Sequence, residues 1–174
     1  MRYVALLRGV NVGAGARVPM KSLKALFEDL GFDDVATYLN SGNVAFDSEL
    51  QGPELTAMIE GALDRTFGQR VPVLVKASAE IAAIADSVPP EWASDEGQQT
   101  YVAYLLGDAD RLGLVDELPV KRQFMSIFYT PGAIVWNIKR ADYSRSQITK
   151  IAGHPSYGSM TTRNINTARR LASL

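Results

Sequence analysis

Apolar residues recur along the chain with two different periods, and the changes of period mark out its elements. Tyr3 to Leu7 is an unbroken apolar run that ends at Arg8-Gly9, which predicts a buried strand delivering a loop, Gly9-Val10-Asn11-Val12-Gly13. Glycine and asparagine allow positive φ there, so the loop is able to turn sharply and present backbone N–H groups. Leu23, Leu26, Phe27 and Leu30 follow at helical spacing between Pro19, expected at the first helical position, and Gly31, expected at the C-terminal cap. Val35 to Leu39 reads as a strand, Asn40-Ser41-Gly42-Asn43 as a tight turn, and Val44 to Phe46 as the returning strand. Leu55, Met58, Ile59, Ala62, Leu63 and Phe67 share one face of a second helix stopped by Gly68, and Val71 to Val75 reads as a further strand. The order β-α-β-β-α-β is that of a ferredoxin-like sheet carrying both helices on one face.

A weaker copy follows. Ser78 is placed to cap a short helix through Ala85, and Val88-Pro89-Pro90 opens a polar connector that reaches Gln99. Thr100 to Leu106 predicts a strand, Asp110 to Glu117 a short helix, and Met125 to Tyr129 a hairpin with Ile134 to Ile138 around Thr130-Pro131-Gly132. A brief helical piece from Ile148 to Ile151 and a loop from Gly153 to Gly158 lead to a closing helix, with Thr161 or Thr162 expected as its N-cap. In that reading Arg163 and Asn164 occupy the first turn, beside unpaired N–H groups that favour an anion. The fold class is therefore α+β, with two ferredoxin-like halves, residues 1–77 and 78–174, the second irregular and ending in a basic helix.

Composition narrows the chemistry. Cysteine is absent and histidine occurs once, at His154, which excludes disulfides, thiolate chemistry and a multi-histidine metal site; no metal or cofactor is expected. The opening apolar run is too short for a secretory signal and no stretch approaches a membrane span, so the expected location is the cytoplasm, away from membranes. The near-neutral net charge of −1 hides a segregation: residues 78–117 carry 9 acidic and 1 basic side chain, whereas residues 118–174 carry 9 basic and only Asp142. A basic end exposed as one face would attract anions; one packed against the acidic middle would not.

Neither a Gly-Lys-Ser/Thr phosphate loop nor a dinucleotide fingerprint is present in the opening loop. What recurs is a set of basic and amide side chains at element ends. Arg8, Asn11 and Gly13 lie in the opening loop, Asn40, Ser41 and Asn43 in the asparagine turn, and Thr161, Thr162, Arg163 and Asn164 before the last helix. Together they predict a pocket for a small phosphate- or carboxylate-bearing ligand, with Arg8 and Arg163 as charge partners and the amides and hydroxyls orienting it. The same pocket would serve an enzyme that stabilises developing negative charge, so enzymatic activity stays open. A third reading is a single-stranded nucleic-acid or protein-partner module, suggested by Tyr129, Trp136, Tyr143 and Tyr157 within the basic end. The absence of the aromatic strand consensus of RNA-recognition motifs and the overall acidity weigh against nucleic acid. The oligomeric state has no signal in the pattern.

The stretches Arg8 to Gly13, Tyr38 to Val44 and Thr161 to Asn164, taken together, resemble the family catalogued as domain of unknown function 1697. The resemblance covers nearly the whole chain, includes Val18-Pro19-Met20, and is weakest from Ser78 to Gln123. It implies a small bacterial protein of two ferredoxin-like halves with no established activity. The chain departs from the pattern at Ile165, where tryptophan is the expected residue, and at Ala14, where a second glycine is common.

Overall fold

Strand β1 (Arg2–Leu7) lies inside the first sheet because almost every one of its side chains is apolar and both faces are buried. Helix α1 (Met20–Asp29) and strands β2 (Asp33–Tyr38) and β3 (Asn43–Asp47) follow, then helix α2 (Gly52–Phe67) and strand β4 (Val73–Ala77). The sheet order β2-β3-β1-β4, antiparallel throughout, is that of a ferredoxin-like unit. Both helices cover the face of β1 that bears Tyr3, Ala5 and Leu7, with Leu23, Leu26 and Phe27 from α1 and Leu55, Ile59 and Leu63 from α2. Phe46 joins them from β3, packed edge-on to Phe27 at 5.2 Å between ring centroids.

Helix α3 (Ser78–Asp86) leads to strand β5 (Gln98–Leu105), the short helix α4 (Leu114–Glu117), strands β6 (Ser126–Thr130) and β7 (Ala133–Lys139), the short helix α5 (Tyr143–Ser146), strand β8 (Met160–Asn164) and helix α6 (Ile165–Leu171). The second sheet, β6-β7-β5-β8, repeats the order of the first. The computed structural model describes residues 1–174, which divide into one unit of Met1–Ile81 with Leu174 and another of Ala82–Ser173. Where the first unit crosses from β3 to β4 through the long helix α2, the second crosses from β7 to β8 through α5 and two 3₁₀ turns, Ile148–Gly153 and Pro155–Ser159. The expected α+β class with two ferredoxin-like halves is what the chain adopts. The hairpin at Thr130-Pro131-Gly132 forms as the sequence predicts, with Gly132 at φ +88° in the position a type II turn reserves for glycine.

Four local expectations are corrected. Pro19 stands one place before α1 as an extended N-cap rather than at its first helical position. Ser78 begins α3 with its hydroxyl buried and unpartnered, and it is Glu80 whose carboxylate accepts from the Ala77 N–H, at 3.0 Å. The helix expected over Asp110 to Glu117 shrinks to Leu114–Glu117.

The fourth correction matters most for function. Thr161, Thr162 and Arg163 do not start a helix; they belong to β8, paired with β5 from Met160↔Leu105 to Asn164↔Tyr101. Two consecutive threonines fit the pleated edge of a sheet at least as well as a cap. The cap of α6 is Asn164, whose side-chain oxygen accepts from the Thr167 N–H at 2.9 Å.

Candidate functional site

In the second unit, alternation along β5 sends Gln99, Tyr101, Ala103 and Leu105 to one face of the sheet, where their neighbours are Trp136 on β7 and Met160 and Thr162 on β8. In the first unit the matching face is sealed by α2. Here the jointed connection between β7 and β8 covers it only in part, because α5 and the 3₁₀ turns are each too short to lay down a continuous apolar stripe. The result is an open pocket of about 400 Å³ between the sheet and the residues 143–157. Its size lies within the range of small-molecule sites.

Tyr101 and Trp136 stack side by side on the floor, 6.0 Å apart with 29° between their planes. Trp136 keeps 7% of its surface exposed, and Tyr143 and Tyr157 stand at the rim, each 40% exposed. Ile148, Ile151 and Met160 complete the apolar wall, while Gln99, Thr149 and Thr162 supply its polar groups. The side chains of these three make no hydrogen bond within the protein. No charged residue lines the pocket.

Of the residues singled out from sequence, Thr162 is the one that faces this pocket. Arg163 points to the opposite face of β8 and is 7% exposed, its Nη1 donating to Thr161 Oγ1 and to the Thr162 carbonyl, each at 3.0 Å. Burial lowers the pKa of its guanidinium to about 10, with the neighbouring Tyr104 acting weakly in the other direction. Tyr104 is fully buried on the same face, its hydroxyl without a hydrogen-bond partner, and burial pushes its pKa well above the usual phenol value.

The first unit uses several of the other candidates to hold its loops. Asn11, at φ +56°, donates from Nδ2 to the carbonyls of Val18 and Asn40, each at 2.8 Å, and its Oδ1 accepts from the Val18 N–H at 2.9 Å. Both amide hydrogens of Asn43 are spent on the Tyr38 carbonyl and Ser41 Oγ. Gly42 is at φ +76°, and a Cβ there would come within 2.6 Å of Leu7 Cβ. Arg8 is half-buried just beyond β1, with its backbone N–H donating to the Pro72 carbonyl, while Gly13 and the Asn40 side chain are exposed. His154 is a local cap, its Nδ1 accepting from the Ser156 N–H at 3.2 Å.

The basic end is largely committed as well. Arg122 pairs with Asp116 at 2.6 Å and Arg145 with Asp142 at 3.0 Å, and Arg169 donates to the Pro89 carbonyl at 3.2 Å. No group of acidic or histidine side chains is placed to hold a metal ion, and no helix is long and apolar enough to cross a membrane.

Sequence reading missed the pocket because its lining is drawn from Gln99 through Thr162 with no compact motif. The available signals were the aromatic residues Trp136, Tyr143 and Tyr157 and the broken periodicity between them, which were weighed there only as a nucleic-acid surface.

Fold and site together define a twofold-repeated ferredoxin-like protein with an aromatic-walled pocket in its second half. The family described as protein of unknown function DUF1697 matches residues 1–136, and the chain belongs to it. The chain is also similar to the solved structure of conserved bacterial protein SP0830 from Streptococcus pneumoniae. The two share 26% identity over 99% of this chain and 97% of that one, with a TM-score of 0.83. No curated protein matches.

Proposed function

We propose that the chain binds a small uncharged molecule built on a planar ring, in the pocket of the second unit. The observation that carries this reading is the composition of the pocket wall: a stacked Tyr101–Trp136 floor, apolar sides, and unspent polar groups without a charged residue among them. A ring laid on that floor exchanges apolar surface for aromatic contact. A free sugar would strand hydroxyls against Ile148, Ile151 and Met160, and an anion would lose its hydration with no cation in the wall to replace it.

The test is ligand retention and fluorescence. Native mass spectrometry of the purified protein reports any co-purified small molecule, and a Trp92→Phe variant leaves Trp136 as the only tryptophan to sense a titrated ring compound. Ring ligands should change Trp136 emission, and Tyr143→Ala should weaken binding about tenfold, the order expected for loss of one aromatic partner. Emission indifferent to every ring compound in a broad fragment library would rule this reading out.

A small anion held by Arg8 and the opening loop is the second reading, favoured by the exposure of Val12 and Gly13 just beyond a buried strand. Calorimetry with inorganic phosphate and with acetate tests it: binding abolished in Arg8→Ala would support it, and no heat from the parent protein would dismiss it.

A further inference from the structure

Of the three polar side chains of the pocket, Thr149 lies on the 3₁₀ turn Ile148–Gly153 and the other two lie on the sheet. Gln99 lies two residues before Tyr101 on β5, while Thr162 lies opposite Ala103, two residues after it. At about 3.3 Å per residue the two positions are separated by roughly 13 Å along the strand direction, with the aromatic floor between them. An unpaired amide stands at one end and an unpaired hydroxyl at the other. Gln99 is half-buried and Thr162 exposed, so both are open to a ligand, and a simple aromatic compound, polar at one point or none, would use at most one of them.

From this spacing, and resting on the reading of the pocket given above, we propose that the ligand is a free nucleoside. Its base stacks on Tyr101 and Trp136 and meets the Gln99 amide edge to edge; its ribose reaches Thr162. A primary amide offers one donor and one acceptor side by side, and adenine and uracil each present a matching pair, the pairing that Gln and Asn make with adenine elsewhere. Because the wall carries no cation, the nucleoside binds in preference to its phosphate ester.

The experiment is calorimetric titration of the full chain with adenosine, uridine, adenosine monophosphate, purine riboside, indole and a single-stranded RNA hexamer, repeated with Gln99→Leu. Gln99 is a strand residue whose side chain makes no internal hydrogen bond, and thermal unfolding checks that the variant keeps its fold. The expected result is that adenosine or uridine binds, and that its affinity falls about tenfold or more in Gln99→Leu while indole is unaffected. Purine riboside, which lacks the exocyclic group, should bind the parent as weakly as adenosine binds the variant. Equal affinity of parent and variant for every nucleoside would overturn the assignment. So would binding of the hexamer or the monophosphate in preference to the nucleosides. Binding of indole with no nucleoside binding would overturn the nucleoside while leaving a ring-binding pocket intact, and silence from all six compounds would overturn both.

Discussion

Asn11 is a backbone clamp. One side chain in a left-handed conformation ties the opening loop to the start of α1 and to the asparagine turn through three hydrogen bonds. Replacing it with alanine leaves the Val18 N–H and carbonyl unmatched in a part-buried setting, so Asn11→Ala should cost about 1–3 kcal/mol of stability, read as a lower urea midpoint at unchanged slope. Gly42 is constrained twice, by a positive φ and by Leu7 and Val10 against its α-carbon. Gly42→Ala should therefore destabilise by about 2 kcal/mol or more, with backbone strain and overpacking both contributing, and the same denaturation measurement checks it. Arg163 shows how far a residue can lie from its expected setting: an arginine anticipated in the first turn of a helix lies in a strand and is one of the most buried charges in the chain. Nothing in Thr161-Thr162-Arg163-Asn164 distinguishes a cap from a strand, because the deciding partner, β5, lies some 60 residues earlier.

Elements whose signals are local were readable from the residues alone. The periodic faces of α1 and α2, the Pro-Gly hairpin between β6 and β7 and the glycine that stops α2 each carry their own instruction. The junction of β8 and α6 does not, and it is testable. Asn164→Ala should cost about 1 kcal/mol and speed amide exchange at Thr167, whereas Thr162→Val should hold stability to within about 0.5 kcal/mol, since valine suits a strand and the hydroxyl it removes has no partner. Were Thr162 the cap, the two effects would be exchanged. The turn that opens β5 adds a pH dependence. Asp95 accepts hydrogen bonds from the Gly97 and Gln98 N–H groups, at 2.8 and 3.0 Å, which hold its carboxyl below the ordinary value of 3.8. A carboxylate with a depressed folded-state pKa contributes stability in full above the unfolded value, and that contribution fades as pH falls through the folded one. The Asp95 carboxyl should thus titrate in NMR below pH 3.8, and Asp95→Asn should flatten the loss of stability as pH falls below that value.

At the scale of the whole chain, one strand order is used twice with different consequences. The first unit closes its sheet with two full helices; the second spends its basic residues on local pairs and leaves part of a sheet face open. The charge segregation in the sequence therefore overstates the cationic surface on offer. A labelled single-stranded oligonucleotide is expected to bind no tighter than about 100 µM at physiological salt, the weak end of non-specific association, and fluorescence anisotropy across a salt series measures this directly. The jointed passage over residues 140–159 has a further implication. Because the backbone pairing of the second sheet reaches only its two ends, at Arg140 and Ser159, the composition between them is free to drift between relatives while the strands stay put. If the proposed pocket binds a ligand, homologues that share this scaffold are expected to differ in what they hold through this stretch, and exchanging it between two of them would move that selectivity without rebuilding either four-stranded sheet.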